Sequence, residues 1–166
     1  MDNYTTRHRI FDTAAGPFVL ICGPDGAVSA RWDDEPGQNG SKHESDLLPE
    51  LSGRLTRYFN GEAVEFDDVA TPQGTAFRHQ CWKHCRAVPR GRTLTYGELA
   101  GLAGADRGAQ AAGQAMRCNP LPVIVPCHRI IAAGGRLLGY NGSADPLSPE
   151  LGTKRWLLGL ERSTPQ

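Results

Sequence analysis

No stretch of the 166 residues is apolar for long enough to span a bilayer, so no membrane insertion is expected. The first nine residues, Met1 to Arg9, lack the apolar core of a signal peptide, and the sequence carries no internal repeat and no low-complexity tract. Net charge is missing as well, 18 Lys and Arg balancing 18 Asp and Glu. Five cysteines are an odd number and do not read as a disulfide framework. A reducing compartment fits them, and a cytoplasmic location is expected. The length allows one large domain or two small ones, either able to bury a usable core.

Charge is present but segregated. Residues 1–74 hold six Lys and Arg against 13 Asp and Glu, a net of minus seven, whereas residues 75–136 hold nine against two, a net of plus seven. Phosphate binding depends on local basic surface and counterion release, so the second segment has the balance of a DNA-facing module. An ordinary solvated surface would account for the asymmetry by itself.

The opening third reads as short strands over residues 6–11, 18–22 and 27–32, divided by turn signals at Ala14-Ala15-Gly16-Pro17 and Gly23-Pro24-Asp25-Gly26. A polar stretch covers 33–45. Apolar residues recur at helical spacing through 47–59 and stop at Asn60-Gly61, and 62–74 reads as a strand or linker. A second helix is expected from Thr75 to Ala87, with Phe77, Cys81, Trp82 and Cys85 inward and a stop at Val88-Pro89. Cysteines four apart around a tryptophan read as core packing rather than a metal site. A helix-turn-helix pattern follows. Thr95 is an N-cap with Glu98 as capping-box partner for a helix over 96–103, and a second helix rich in Ala and Gly runs over 107–117. Taken alone, such a helix reads as one that packs closely on another.

Chemistry concentrates in Val123-Ile124-Val125-Pro126-Cys127-His128-Arg129-Ile130-Ile131. The two β-branched runs read as buried extended chain, and Pro126 removes a backbone donor and fixes φ, which turns the chain at Cys127. A thiol held at a rigid bend beside an imidazole is the minimum equipment of a nucleophile, because the thiolate is the reactive form. For the pair alone, a buried structural cysteine beside a surface histidine is the plainer alternative.

Other motifs stand around it in a fixed order. Thr95-Tyr96-Gly97-Glu98-Leu99-Ala100 precedes Ala111-Ala112-Gly113-Gln114-Ala115-Met116-Arg117-Cys118-Asn119-Pro120, then come the Pro-Cys-His-Arg segment, Gly139-Tyr140 and Lys154-Arg155-Trp156-Leu157-Leu158-Gly159-Leu160-Glu161. The set resembles the O6-alkylguanine-DNA alkyltransferases, also called methylated-DNA–protein-cysteine methyltransferases. The resemblance runs from about Gly74 to Glu161 and extends more weakly through the opening strands.

The resemblance implies an α+β protein. Residues 1–73 would form a small N-terminal α/β domain of ribonuclease H-like fold, and 74–166 a mostly helical, winged helix-turn-helix-like domain for DNA binding and catalysis. It implies a monomer that moves the alkyl group of O6-alkylguanine, and of O4-alkylthymine, from double-stranded DNA to Cys127, once per molecule, with no cofactor and no metal. The damaged nucleotide must first be flipped out of the stack. His128 then accepts the thiol proton through a water while Glu161 orients and charges the imidazole, as carboxylates behind histidines do. Tyr96 contacts the flipped base and protonates the leaving guanine at N3. Asn119 braces the turn at the nucleophile, a role that Asn-Pro turn chemistry also allows. The carbonyls of Cys127 and Ile130 read the exocyclic amine, the amide of Asn141 meets O6, and Tyr140 lies beside the pocket. Arg107, Gln110, Ala111 and Arg117 present their helix to the minor groove, with Arg129 as a further DNA contact. Alone, Glu161 reads as a solvated helix residue and Tyr96 as a core aromatic.

Two departures from the family pattern stand out. Gln110 occupies the position usually held by an arginine that fills the gap left by the flipped nucleotide. Residues 142–152, with Pro146 and Pro149, form a longer connection than usual, expected to select alkyl groups or to act as a lid. Two other function classes compete. A protein that recognises alkylated DNA without transfer would replace the nucleophile, and Cys127 is present. A cysteine hydrolase would need an oxyanion turn rich in glycine, which this cysteine lacks.

Overall fold

The computed structural model describes residues 5–33, 40–71, 73–140, 143, 145 and 147–162. The chain divides into two compact units, Met1–Glu65 and Phe66–Gln166.

In the first unit a four-stranded sheet is built from β1 (Arg7–Thr13), β2 (Gly16–Cys22), β3 (Val28–Trp32) and β4 (Lys42–His43), in the order β3-β2-β1-β4. β2 pairs antiparallel with both neighbours, and β4 joins β1 in parallel. The first turn is tight because Gly16 takes φ 106°, which lets Thr13 pair directly with Gly16. As the central partner of both β1 and β3, β2 buries Phe18, Val19 and Leu20 in succession. Helix α1 (Pro49–Phe59) buries Leu51, Leu55 and Tyr58, and the rings of Phe11, Phe18, Trp32 and Phe59 cluster with centroids 5.0–6.3 Å apart. The helix begins two residues later than its apolar period suggests, since Pro49 occupies the first turn and Leu48 sits at φ 47°. β4 lies within the stretch read as merely polar. Both its side chains are exposed, so no alternation marks it.

The described residues at the start of the second unit form no strand. Among the described residues 66–71 turn back on themselves, Val69 N–H donating to the Phe66 carbonyl at 3.0 Å, and Arg86 binds the Phe66 and Val69 carbonyls. Helix α2 (Ala76–Arg86) is capped by Thr75 and buries Cys81, Trp82 and Cys85. Trp82 Nε1 donates to the Ala115 carbonyl at 3.0 Å and so ties α2 to α4 (Ala109–Arg117). Between them, Thr95 and Glu98 close a full capping box on α3 (Tyr96–Leu102). α4 starts at Ala109, two residues beyond the expected Arg107, because Gly108 is its N-cap. A Cβ on Gly108 would lie 2.8 Å from Ala105 Cβ, so only glycine permits this approach. Ala112 and Ala115 are buried, which fits the close packing that an Ala-rich helix suggests.

The nucleophile region departs from the expected extended chain. Residues 121–125 fold into a buried turn, Val125 N–H donating to the Leu121 carbonyl at 2.8 Å and Val123 adopting φ 74°. A β-branched residue is unfavourable in that conformation and persists only where its surroundings impose it. A 3-10 turn (Cys127–Arg129) follows, then β6 (Ile130–Ile131), which pairs in parallel with β5 (Leu94–Thr95). Helix α5 (Pro149–Arg162) completes the unit. Among the described residues no helix is long and apolar enough to cross a membrane.

The capping box is reciprocal, so Thr95→Ala is expected to lower stability by about 1 kcal/mol in urea denaturation, with Thr95→Ser restoring most of it.

Candidate active site

Cys127 begins the 3-10 turn, with only 7% of its surface exposed. Pro126 ends the preceding run, and Asn119 fixes the approach from the other side. Asn119 Oδ1 accepts from Leu121 N–H at 2.9 Å, and its Nδ2 donates to the Val125 carbonyl at 2.8 Å. Burial pushes the Cys127 thiol up, while Asn119, the positive charge of Lys154 and the backbone amides of Cys127 and His128 pull it down. The balance leaves a resting thiol that needs a proton acceptor to react.

That acceptor is adjacent. His128 is fully enclosed, and its Nε2 lies 2.8 Å from Glu161 Oε1. Burial pushes the imidazole below its ordinary value against the pull of Glu161, so the ring is neutral at pH 7. Burial would raise the Glu161 carboxyl, but hydrogen bonds and charges from His128 and Arg129 hold it far below the carboxylate range. An ionised carboxylate can only accept, so Nε2 carries the hydrogen. Arg129 donates Nε and Nη2 to the same carboxylate at 2.9–3.3 Å and Nη1 to the Val88 carbonyl at 2.6 Å, and Gly91 N–H adds a contact at 3.3 Å. The guanidinium of Arg129, expected as a DNA contact, is thus engaged by Glu161 and Val88.

Cys127 opens onto a cavity of about 290 Å³, whose lining includes Tyr96, Gln110, Gln114, Arg117, Leu138 and Tyr140. Tyr96, at the first position of α3, donates its hydroxyl to the Leu138 carbonyl at 2.9 Å, and burial pushes its phenol up to about 12. Tyr140 is buried and exchanges backbone hydrogen bonds with Ser143. Arg107 lies in the turn before α4, and Arg107, Ala111 and Arg117 are all exposed. Ile130 is buried on β6. Asn141, and with it part of the 142–152 connection, lies outside the described residues.

One residue escaped the reading of the sequence. Lys154 on α5 is completely buried, and its Nζ donates to the Ile130 carbonyl at 2.6 Å, the Gly139 carbonyl at 3.3 Å and the Tyr96 hydroxyl at 3.4 Å. Burial pulls its ammonium down to about 8. A lysine between Thr153 and Arg155 on an amphipathic helix looks solvated, and nothing local marks it otherwise.

Residues 76–163 match the family model described as 6-O-methylguanine DNA methyltransferase, DNA binding domain. The methylated-DNA–protein-cysteine methyltransferase of Mycobacterium tuberculosis (strain H37Rv) is 36% identical over 159 residues, covering 94% of this chain and 92% of that one. The protein of that name from Methanosarcina acetivorans is 34% identical over 161 residues, covering 94% and 98%. The crystal structure of M. tuberculosis OGT in complex with DNA superposes with a TM-score of 0.79 at 34% identity, covering 95% of this chain and 93% of that one. The mixed α/β build is thus shared with a solved relative.

Acid should weaken the site in two stages. Below pH 6.5 the unfolded chain takes up a proton that the enclosed His128 refuses, and below pH 4.5 the contribution of the ionised Glu161 is progressively lost. Urea denaturation from pH 7 to pH 3 is expected to show both declines. Glu161→Gln should cost on the order of 3 kcal/mol at pH 7 and flatten the second one.

Proposed function

Because the chain belongs to the 6-O-methylguanine DNA methyltransferase family, we propose that it repairs alkylated DNA by direct reversal, taking the alkyl group from guanine O6 onto its own Cys127. The observation that carries this assignment is a thiol at the floor of a cavity, backed by an enclosed imidazole and carboxylate. The names of the relatives support the chemistry, and the DNA complex of the mycobacterial relative supports DNA as the partner.

The substituted oxygen lies inside the base stack, so the nucleotide is flipped into the cavity beside Tyr96 and Tyr140 at a cost of a few kcal/mol. His128 shares its Nε2 hydrogen with Glu161, so Nδ1 receives the thiol proton through a water. The sulfur then bonds to the alkyl carbon as the bond from that carbon to O6 breaks, and the electron pair stays with guanine. The Tyr96 hydroxyl delivers its proton to N3. Glu161 stabilises the imidazolium, as in hydrolase triads. The product is a thioether, a poor leaving group, so each molecule acts once.

The carbonyls of Cys127 and Ile130 read the exocyclic amine, and the Asn141 amide meets O6. The Ile130 carbonyl already accepts from Lys154 and has a second lone pair for this contact. α4 enters the minor groove of duplex DNA through Gln110, Ala111 and Arg117, with Arg107 in the turn before it. O4-alkylthymine is a second substrate. The same reading makes residues 1–73 a ribonuclease H-like domain and 74–166 a winged helix-turn-helix-like one, in a cytoplasmic monomer. Recognition without transfer is the weaker alternative, since the nucleophile is in place.

Incubation with a duplex oligonucleotide bearing O6-methylguanine is expected to add one methyl group to the intact mass, located on Cys127 and absent from Cys127→Ala. An unchanged mass would leave recognition only, and lesion turnover without an adduct would mean another chemistry. Gln110 is shorter than arginine, uncharged and less able to stack, so Gln110→Arg should quicken repair of duplex but not single-stranded DNA. No gain on duplex would refute a gap-filling role for this position.

A further inference from the structure

Helix α4 buries Ala112, Ala115 and Met116 on one side, while Gln110, Gln114 and Arg117 are exposed and line the cavity of Cys127. Their spacing of four and three residues puts these three side chains on one face. At Gly113 a Cβ would stand 3.9 Å from Tyr96 Cδ1, so this turn of the helix runs alongside that ring. A guanidinium only donates, which suits Arg117 to phosphate. The carboxamides of Gln110 and Gln114 both donate and accept, and phosphate can use only half of that capacity. Among the described residues Gln110 has no hydrogen bond to the protein, and Gln114 has one long contact, its Nε2 standing 3.6 Å from Cys118 Sγ. The Gln114 oxygen and one of its amide hydrogens are therefore open to a ligand in the groove. In the minor groove A·T pairs show only acceptors, whereas guanine sets its N2 amine beside the N3 acceptor. A carboxamide matches those two atoms, its oxygen accepting from N2 while its nitrogen donates to N3.

We propose that Gln114 is a specificity-determining residue of alkyl transfer, reading the minor-groove edge of a base pair that flanks the lesion and favouring guanine there. The inference rests on the reading in which α4 enters the minor groove and Cys127 takes the alkyl group. Residues four apart are about 6 Å apart along a helix axis, whereas stacked base pairs are about 3.4 Å apart. In a helix lying along the groove the two amides thus stand at different levels. With Gln110 at the position vacated by the flipped nucleotide, Gln114 meets a neighbouring pair. Arg117, a turn further on, holds the backbone and carries no sequence information. Repair by this chain therefore depends on the sequence around the lesion, through an amine that only guanine places in the minor groove.

The experiment is the second-order rate of methyl transfer from duplex O6-methylguanine DNA to the full chain, for the native protein, Gln114→Met and Gln114→Ala. Guanine is placed in turn at each flanking position of either strand and compared with hypoxanthine, which lacks the N2 amine and keeps N3. At one or more of these positions the native rate is expected to be roughly threefold or more higher with guanine, the worth of one hydrogen bond. The weaker hypoxanthine pair would by itself ease flipping, an effect of the opposite sign. Both variants should lose the preference for guanine, whatever their absolute rates. Methionine is close to glutamine in length, and position 114 is exposed, so a merely structural role would leave the ratio of the two rates unmoved. Equal native rates with guanine and hypoxanthine at every flanking position would overturn the proposal. So would a preference that persists in Gln114→Met and Gln114→Ala. Native protein that gains no methyl group from any of the duplexes would instead sink the alkyl-transfer reading on which the inference stands.

Discussion

One carboxylate organises the second unit. Glu161 accepts from the His128 ring, from two nitrogens of Arg129 and from the Gly91 amide, and Arg129 reaches on to the Val88 carbonyl. These bonds join the last turn of α5, the 3-10 turn of the nucleophile and the segment after α2 through a single buried charge. Removing ions from water is expensive, and this arrangement holds because every oxygen has a charged or amide donor. The same bonds that retain the carboxylate fix the histidine tautomer, so packing and chemistry share one set of contacts.

The thiol is held by a different device. Asn119 closes a loop over residues 121–125, where Val123 tolerates a left-handed backbone, and Pro126 then delivers Cys127 into the 3-10 turn. Strain stored at such a position is sustained only by a rigid frame. Leu121, Val123, Ile124 and Val125 supply that frame, all of them buried. The cysteine is therefore aimed by backbone geometry, while its proton acceptor is aimed by the ion-pair network.

Local rules carried far into this fold. The capping box at Thr95 and Glu98, the inward Cys81, Trp82 and Cys85, and the close-packed Ala112 and Ala115 all follow from spacing or side-chain size. What escaped depends on partners distant in sequence. β4 exists through its backbone pairing with β1, which two exposed side chains cannot announce. Apolar composition at Val123 to Val125 marked burial correctly but not conformation, since β-branched runs suit strands far better than left-handed turns. Arg129 and Lys154 look like surface cations until Glu161 in one case, and Ile130, Gly139 and Tyr96 in the other, are brought alongside.

The placement of Glu161 near the end of α5 has a consequence for biogenesis. Residues 127–129 leave the ribosome more than thirty positions ahead of their carboxylate, so a nascent chain carries the sulfur before it carries the means to activate it. Only when the last helix docks does the imidazole beside the sulfur gain the carboxylate that fixes its tautomer.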